Sequence, residues 1–180
     1  VGAGFAGLYM TKRLAEDGFS LITLEAGSEI GGTWYWNRYP GARCDIESVE
    51  YSYQFSDEVQ QEWNWTERYA SQPEILEYIN FVADKFSLRR FIRLNTKVLG
   101  ASFTEERVGW SVELCTREII HCKYLILAVG NLSKPFTPEI KGHADFNGLT
   151  FHTARWPASG VSLADKRVGI IGTGSSGVQS

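Results

Sequence analysis

Gly2, Gly4 and Gly7 stand in the spacing G-x-G-x-x-G, and Gly172, Gly174 and Gly177 repeat it near the other end of the chain. That spacing suits a pyrophosphate. The first glycine permits a tight turn, and the second lets backbone N–H groups approach the phosphate oxygens. The third lets the following helix pack closely, with its positive dipole end aimed at the anion. Glu25 closes "SLITLE" at about the 20-residue distance where a ribose-binding acid is expected. Asp45 lies two places from Arg43, and a carboxylate beside an arginine stays ionised and can position a cation. A third stretch, "FNGLTFHTARWP", sets Phe146, Gly148, His152, Trp156 and Pro157 at fixed offsets shortly before the second glycine group.

These residues need elements to hold them. After the first glycines the chain reads as an amphipathic helix in which Leu8, Met10 and Leu14 can face inward, and Gly18 is placed to end that helix. "SLITLE" reads as the next strand. "AGSEIGGTWYWNRYPGARCDIESVEYSY" has neither helical nor strand period and reads as a long functional loop, in which Gly31 and Gly32 allow close backbone approach. "SQPEILEYINFVADKF" reads as a helix with a Ser71–Glu74 capping box and a core face of Ile75, Ile79, Val82 and Phe86. "TKVLGASF", "GWSVEL" and "EIIHCKYLILAVG" read as successive strands of a small antiparallel meander. The run from Tyr124 to Val129 is expected to be a buried central strand. "LSKPFTPEIKG" has the proline and polar content of a linker, and "KRVGII" that of a strand feeding the second turn.

The expected architecture is therefore α/β. A Rossmann-like dinucleotide-binding domain, three-layered with a parallel sheet plus the meander, spans residues 1–130. A linker follows over 131–157, and a second Rossmann domain starts at 158–180. Val1 alone precedes the first turn, where a strand is expected, so the sequence reads as truncated at both ends. Two dinucleotide turns in one chain suit a flavin that is reduced by a nicotinamide. The net charge of −3 argues against nucleic acid or an anionic membrane as partner, and no apolar run reaches the length of a membrane span. Cys44, Cys115 and Cys122 are odd in number and lack metal-ligand spacing, so no metal is expected and a reducing cytoplasm is.

"FNGLTFHTARWP" between two glycine turns, with "GGTWYWNRYPGARCDIES", resembles the type I Baeyer–Villiger monooxygenases, and the resemblance covers the whole chain. It implies FAD and NADPH as cofactors. Gly2, Gly4, Phe5, Gly7, Glu25, Thr33, Trp34, Trp36, Asp45, Tyr51 and Val98 would hold the flavin nucleotide. Arg43 and Asp45, with Gly172, Thr173, Gly174, Ser175, Ser176 and Gly177, would hold the nicotinamide nucleotide. The reaction implied inserts one oxygen atom of O2 beside a ketone carbonyl, through a C4a-peroxyflavin, to give an ester or lactone. Asp45 would position an arginine lying outside these residues, and the stretch around His152 would couple the two domains. The parent enzyme would be monomeric. Two alternatives remain. One is an N- or S-oxygenating flavin monooxygenase, against which Trp156–Pro157 speak, since the corresponding motif there ends in tyrosine. The other is that the chain by itself is a non-catalytic nucleotide-binding fragment.

Overall fold

A computed structural model describes the chain from Val1 to Ser180, the side chain of residue 107 excepted. In chain order the elements are α1 (Phe5–Glu16), β1 (Thr23–Leu24), α2 (Thr33–Trp36), α3 (Asp57–Glu62), α4 (Gln72–Lys85), β2 (Ile92–Arg93), β3 (Val98–Thr104), β4 (Gly109–Leu114), β5 (Ile119–Cys122) and α5 (Ser175–Gln179). They fall into two units, Val1–Tyr35 with Leu76–Gly130, and Trp36–Ile75 with Asn131–Ser180.

In the first unit the chain turns at Gly2–Gly4 and enters α1. That helix ends as its sequence requires: Gly18 takes φ +78°, its N–H reaches the Ala15 carbonyl, and the Phe19 N–H reaches Leu14. This is a Schellman closure, satisfying carbonyls that would otherwise be orphaned. β1 pairs in parallel with β2, Thr23 opposite Ile92 and Leu24 opposite Arg93. Gly2 donates to the Leu24 carbonyl on the other side of β1. Val1 in turn donates to Ile126 and accepts from the Ala128 N–H. The backbone thus runs, across the sheet, from Arg93 to Leu24 to Val1–Gly2 to Leu127. This parallel strip carries the first glycine turn at its end.

The meander is as expected, in the order β3-β4-β5, antiparallel throughout, with an irregularity between Val98 and Gly100. Its inner face supplies Val112 and Leu114, which join Leu24 in a buried cluster flanked by Val98, Trp110, Ile120, Cys122 and Leu125. Each such side chain contributes roughly 1.5–3 kcal/mol by leaving water. In α4, Ile75, Ile79 and Val82 are no more than 1% exposed, as the helical spacing predicted, and Tyr78 and Ala83, which it did not single out, are as deeply buried. Phe86 is only half-buried and carries the Lys12 ammonium 4.8 Å above its ring.

Two expectations need correction, and a third is met over a shorter span. The Tyr124–Val129 run is not a buried strand: Tyr124 and Leu127 are about two-thirds exposed, and its backbone pairs with Val1 rather than with a named strand among the described residues. Apolar side chains are buried by the faces laid over them; Leu125 packs on the Leu24 cluster, while Tyr124, Leu127 and Val129 stay largely exposed. "SLITLE" does form a strand, but its ladder is confined to Thr23–Leu24, both buried, and Phe19 and Ile22 beside it are about half exposed. "KRVGII" forms no strand; Val168, Ile170 and Ile171 are exposed, with no ladder partner among the described residues.

In the second unit, α3 starts at Ser56, whose hydroxyl accepts from the Val59 N–H at 3.4 Å. The first turn of α4 lies here too. Glu74 does not close the expected capping box; its Oε1 accepts from the Thr66 N–H at 2.6 Å instead. The segment from residue 131 to 174 is irregular apart from short turns at His143–Asp145 and Thr153–Arg155.

Candidate functional site

The first glycine turn is held together by backbone contacts that leave no room for side chains. A Cβ on Gly7 would stand 1.8 Å from the Gly2 carbonyl oxygen, and one on Gly32 would stand 2.8 Å from the Gly4 Cα. The Gly31 N–H donates to the Ala3 carbonyl at 3.0 Å, pinning the start of the aromatic loop to the glycine turn. α1 begins at Gly4 with no side-chain cap and no acid in its first turn. Its leading N–H groups and positive dipole end are therefore open to an anion, and these residues fit a pyrophosphate.

Glu25 is 5% exposed, and both its oxygens are engaged. Oε2 accepts from the Ala3 N–H and Oε1 from the Gly27 N–H, each at 2.7 Å. The acid predicted to meet a ribose thus also braces the turn from beneath. A carboxylate has about four lone-pair sites, so two backbone donors leave capacity for a hydroxyl. Thr11 and Thr23 add a buried hydroxyl pair at 2.6 Å, with Thr11 donating to Gly7. Periodicity gave no sign of this pair, because threonine breaks the apolar helix pattern. Phe5 lies beside Tyr78 with ring centroids 6.2 Å apart, Trp34 is buried, Thr33 is exposed at the start of α2, and Val98 packs on the Leu24 cluster.

In the second unit the chemistry gathers around residues 39–45 and α5. Arg43 does not pair with Asp45. Its guanidinium takes Glu67 at 3.0 Å, while Asp45 Oδ2 accepts from the Ser175 hydroxyl at 2.8 Å. Closeness in sequence does not oblige the two side chains to meet, and Glu67 was invisible in the sequence as a partner. The Arg43–Glu67 pair is about half exposed and contributes little to stability. The neighbouring Cys44 is buried, and burial pushes its thiol up from the ordinary value, which keeps it unreactive.

Gly172 has φ +128°, and a Cβ on Gly177 would meet the Gly172 carbonyl oxygen at 2.5 Å, the same closure as in the first turn. α5 also starts with no side-chain cap and no acid. Thr173 is exposed, and the Ser176 carbonyl accepts from the Ser180 N–H. Trp36 is 41% exposed, and the Tyr51 N–H donates to the Glu47 carbonyl.

His152 is fixed by both ring nitrogens. Nδ1 accepts from the Ala154 N–H at 3.1 Å, so the proton sits on Nε2, which donates to the Phe136 carbonyl at 3.1 Å. Trp156 stacks at an incline on Phe151, with centroids 5.4 Å apart, and a Cβ on Gly148 would strike the Phe146 ring at 2.5 Å. The fingerprint residues thus make a tie from His152 to residue 136 and local contacts within 146–148 and 151–156. Among the described residues no cluster of His, Cys, Asp and Glu could hold a metal ion, and no helix is long and apolar enough to cross a membrane.

A parallel strip of backbone carrying an open glycine turn and a braced acid is the fold of a dinucleotide-binding domain. The family model for pyridine nucleotide-disulphide oxidoreductases matches residues 1–180, and the chain belongs to that family. A Baeyer–Villiger monooxygenase from Pseudooceanicola batsensis is 48% identical over 180 residues, covering 99% of this chain and 33% of the relative. A phenazine N-monooxygenase from Lysobacter antibioticus is 46% identical, again over 99% of this chain and 33% of the relative. The crystal structure of OTEMO in complex with FAD and NADP superposes with a TM-score of 0.92 at 45% identity, covering 99% of this chain and 34% of that one. The chain spans about a third of the length of these relatives. Baeyer–Villiger monooxygenases are among its relatives, as the fingerprint implied.

Proposed function

We propose that the protein containing this segment is an FAD- and NADPH-dependent Baeyer–Villiger monooxygenase, which converts a small ketone and O2 into an ester or lactone. The observation that carries the reading is the recurrence of one closed glycine turn in two settings. The first is braced by Glu25, and the second is bonded through Ser175 to Asp45. We assign residues 1–130 to the flavin nucleotide, 131–157 to the connection, and 158–180 to the start of the nicotinamide domain. A monomer in the cytoplasm, without nucleic acid as partner, completes the reading.

When bound, the flavin supplies the oxygen-activating ring and the nicotinamide supplies the hydride. The residues of this chain bind and orient. The Gly2–Gly7 turn presents N–H groups to a pyrophosphate, and Glu25 holds that turn while accepting from a ribose hydroxyl. Trp34 and Trp36 present flat surfaces, one buried and one exposed, that restrict water near a bound ring. Asp45 offers a carboxylate beside the second turn, where it is placed to hold a cationic side chain; fixed charges of this kind act most strongly where water is kept out. His152 holds its two segments together and takes no part in proton transfer, since both of its nitrogens are engaged.

Oxygenation at nitrogen or sulfur is the less favoured reading, although a phenazine N-monooxygenase is among the relatives at 46% identity. Incubating the purified full-length protein with NADPH, labelled O2 and a cyclic ketone, a thioether or a phenazine separates the two. Labelled lactone from the ketone is the expected product. Labelled N-oxide or sulfoxide without lactone would overturn the assignment.

A further inference from the structure

Gln179 is used by nothing derived above, yet it is the most heavily engaged side chain of α5. Its Oε1 accepts from the Tyr39 hydroxyl at 2.8 Å and from the Arg43 N–H at 3.4 Å, and its Nε2 donates to the Arg43 carbonyl at 3.0 Å. A primary amide lying on a peptide unit in this way meets donor with acceptor and acceptor with donor, as a neighbouring strand would. The backbone comes equally close: a Cβ on Gly41, itself at φ +77°, would stand 2.0 Å from the Gln179 carbonyl oxygen. One helical turn earlier, Ser175 donates to Asp45. A five-residue helix thus grips residues 39–45 at both ends, on the faces that Arg43 and Asp45 present.

We infer that Gln179, together with Ser175, is a positioning residue. It clasps the Arg43–Asp45 segment to the second glycine turn, so that the side chains proposed to meet the nicotinamide nucleotide and the turn that seats it form one preassembled surface. The inference rests on the reading of that turn as a nicotinamide site, and extends it to residues outside the glycine motif. The chemistry of the side chain is specific. Glutamate at this position keeps the two acceptor contacts but sets a second oxygen against the Arg43 carbonyl. Methionine keeps length and bulk and loses every polar contact. Asparagine falls one methylene short of the Arg43 peptide.

Binding to a preassembled surface avoids the ordering that a loose segment must undergo on contact with ligand. Loss of two or three neutral hydrogen bonds corresponds to about a tenfold loss of affinity. The test measures NADP+ binding by calorimetry on the full-length flavoprotein. It compares the unaltered protein with Gln179→Met, Gln179→Glu, Ser175→Ala and the Gln179→Met/Ser175→Ala pair, with flavin content and the rate of flavin reduction at saturating NADPH measured alongside. The expected result is an NADP+ dissociation constant raised about tenfold by Gln179→Met and Gln179→Glu, with flavin content retained. The saturated reduction rate of the two single Gln179 variants should stay within about twofold, and the double variant should be weaker by less than the product of the single effects. Three results would overturn the inference: dissociation constants within about twofold of the unaltered protein, a fully multiplicative double variant, or loss of flavin together with nucleotide in both Gln179 variants, which would make the residue a packing element. Failure of the unaltered protein to bind NADP+ would instead count against the functional reading itself.

Discussion

The two glycine turns carry the same spacing and the same internal closure, with a third-glycine Cβ position 1.8 Å from a carbonyl oxygen in one and 2.5 Å in the other. Their surroundings differ completely. The first is braced from below by Glu25, from the side by Gly31–Gly32, and along the strip by Leu24 and Ala128. The second stands on exposed apolar residues, and its helix is gripped through side chains, Ser175 and Gln179. A phosphate turn is therefore a local device that forms wherever its glycines allow. What turns it into a rigid site is the long-range packing around it, and that is supplied separately.

Four substitutions in the full-length protein would break or sharpen this contrast. The largest effect is expected from Gly7→Ala, where the added methyl meets backbone that the sheet holds in place. Stability should fall by about 3 kcal/mol or more, and the purified protein should emerge without flavin. Glu25→Gln comes next. It replaces a charged acceptor of two backbone donors by an amide that can satisfy one, and urea unfolding should show a loss of about 2 kcal/mol. Gly177→Ala introduces the same clash as Gly7→Ala in the less enclosed turn. It should cost about 1 kcal/mol in thermal unfolding and leave flavin bound, yet weaken NADP+ binding more than tenfold. Equal losses of flavin from Gly7→Ala and Gly177→Ala would erase the distinction between the turns.

The smallest effect concerns pH. The hydrogen bond from Arg93 holds the Glu118 carboxyl below its ordinary value, and the pair links β2 to the turn before β5. A carboxylate whose folded value is lowered adds stability at pH values above its unfolded one, about 4.3, and loses it as pH falls through the folded one. The melting temperature of Glu118→Gln should therefore lie slightly below that of the unaltered protein at pH 7, and the two should converge in acid. A gap that widened on acidification would refute the assigned pairing.

Much of the first unit was legible in the sequence because its signals are local. The glycine spacing, the Gly18 closure, the core face of α4 and the three-stranded meander each depend on residues within one or two turns of each other. The errors arose where burial depends on distant coverage. Tyr124–Val129 and "KRVGII" have strand composition, yet the first is left largely exposed and the second has no ladder partner among the described residues. In the candidate site, the glycines and Glu25 followed from spacing. Glu67 as the partner of Arg43, Ser175 as the donor to Asp45, and Gln179 as the clasp join residues 24 to 136 positions apart, and no periodicity encodes such pairs.

The division of labour between the turns is tested most directly by anaerobic NADPH titration of the full-length protein beside its Gly177→Ala variant, followed at the flavin absorbance band. Both proteins should be yellow, the unaltered one should bleach with about one equivalent of NADPH, and the variant should stay oxidised until far higher concentrations. A colourless unaltered protein, or a variant that bleaches as readily as its parent, would contradict the account.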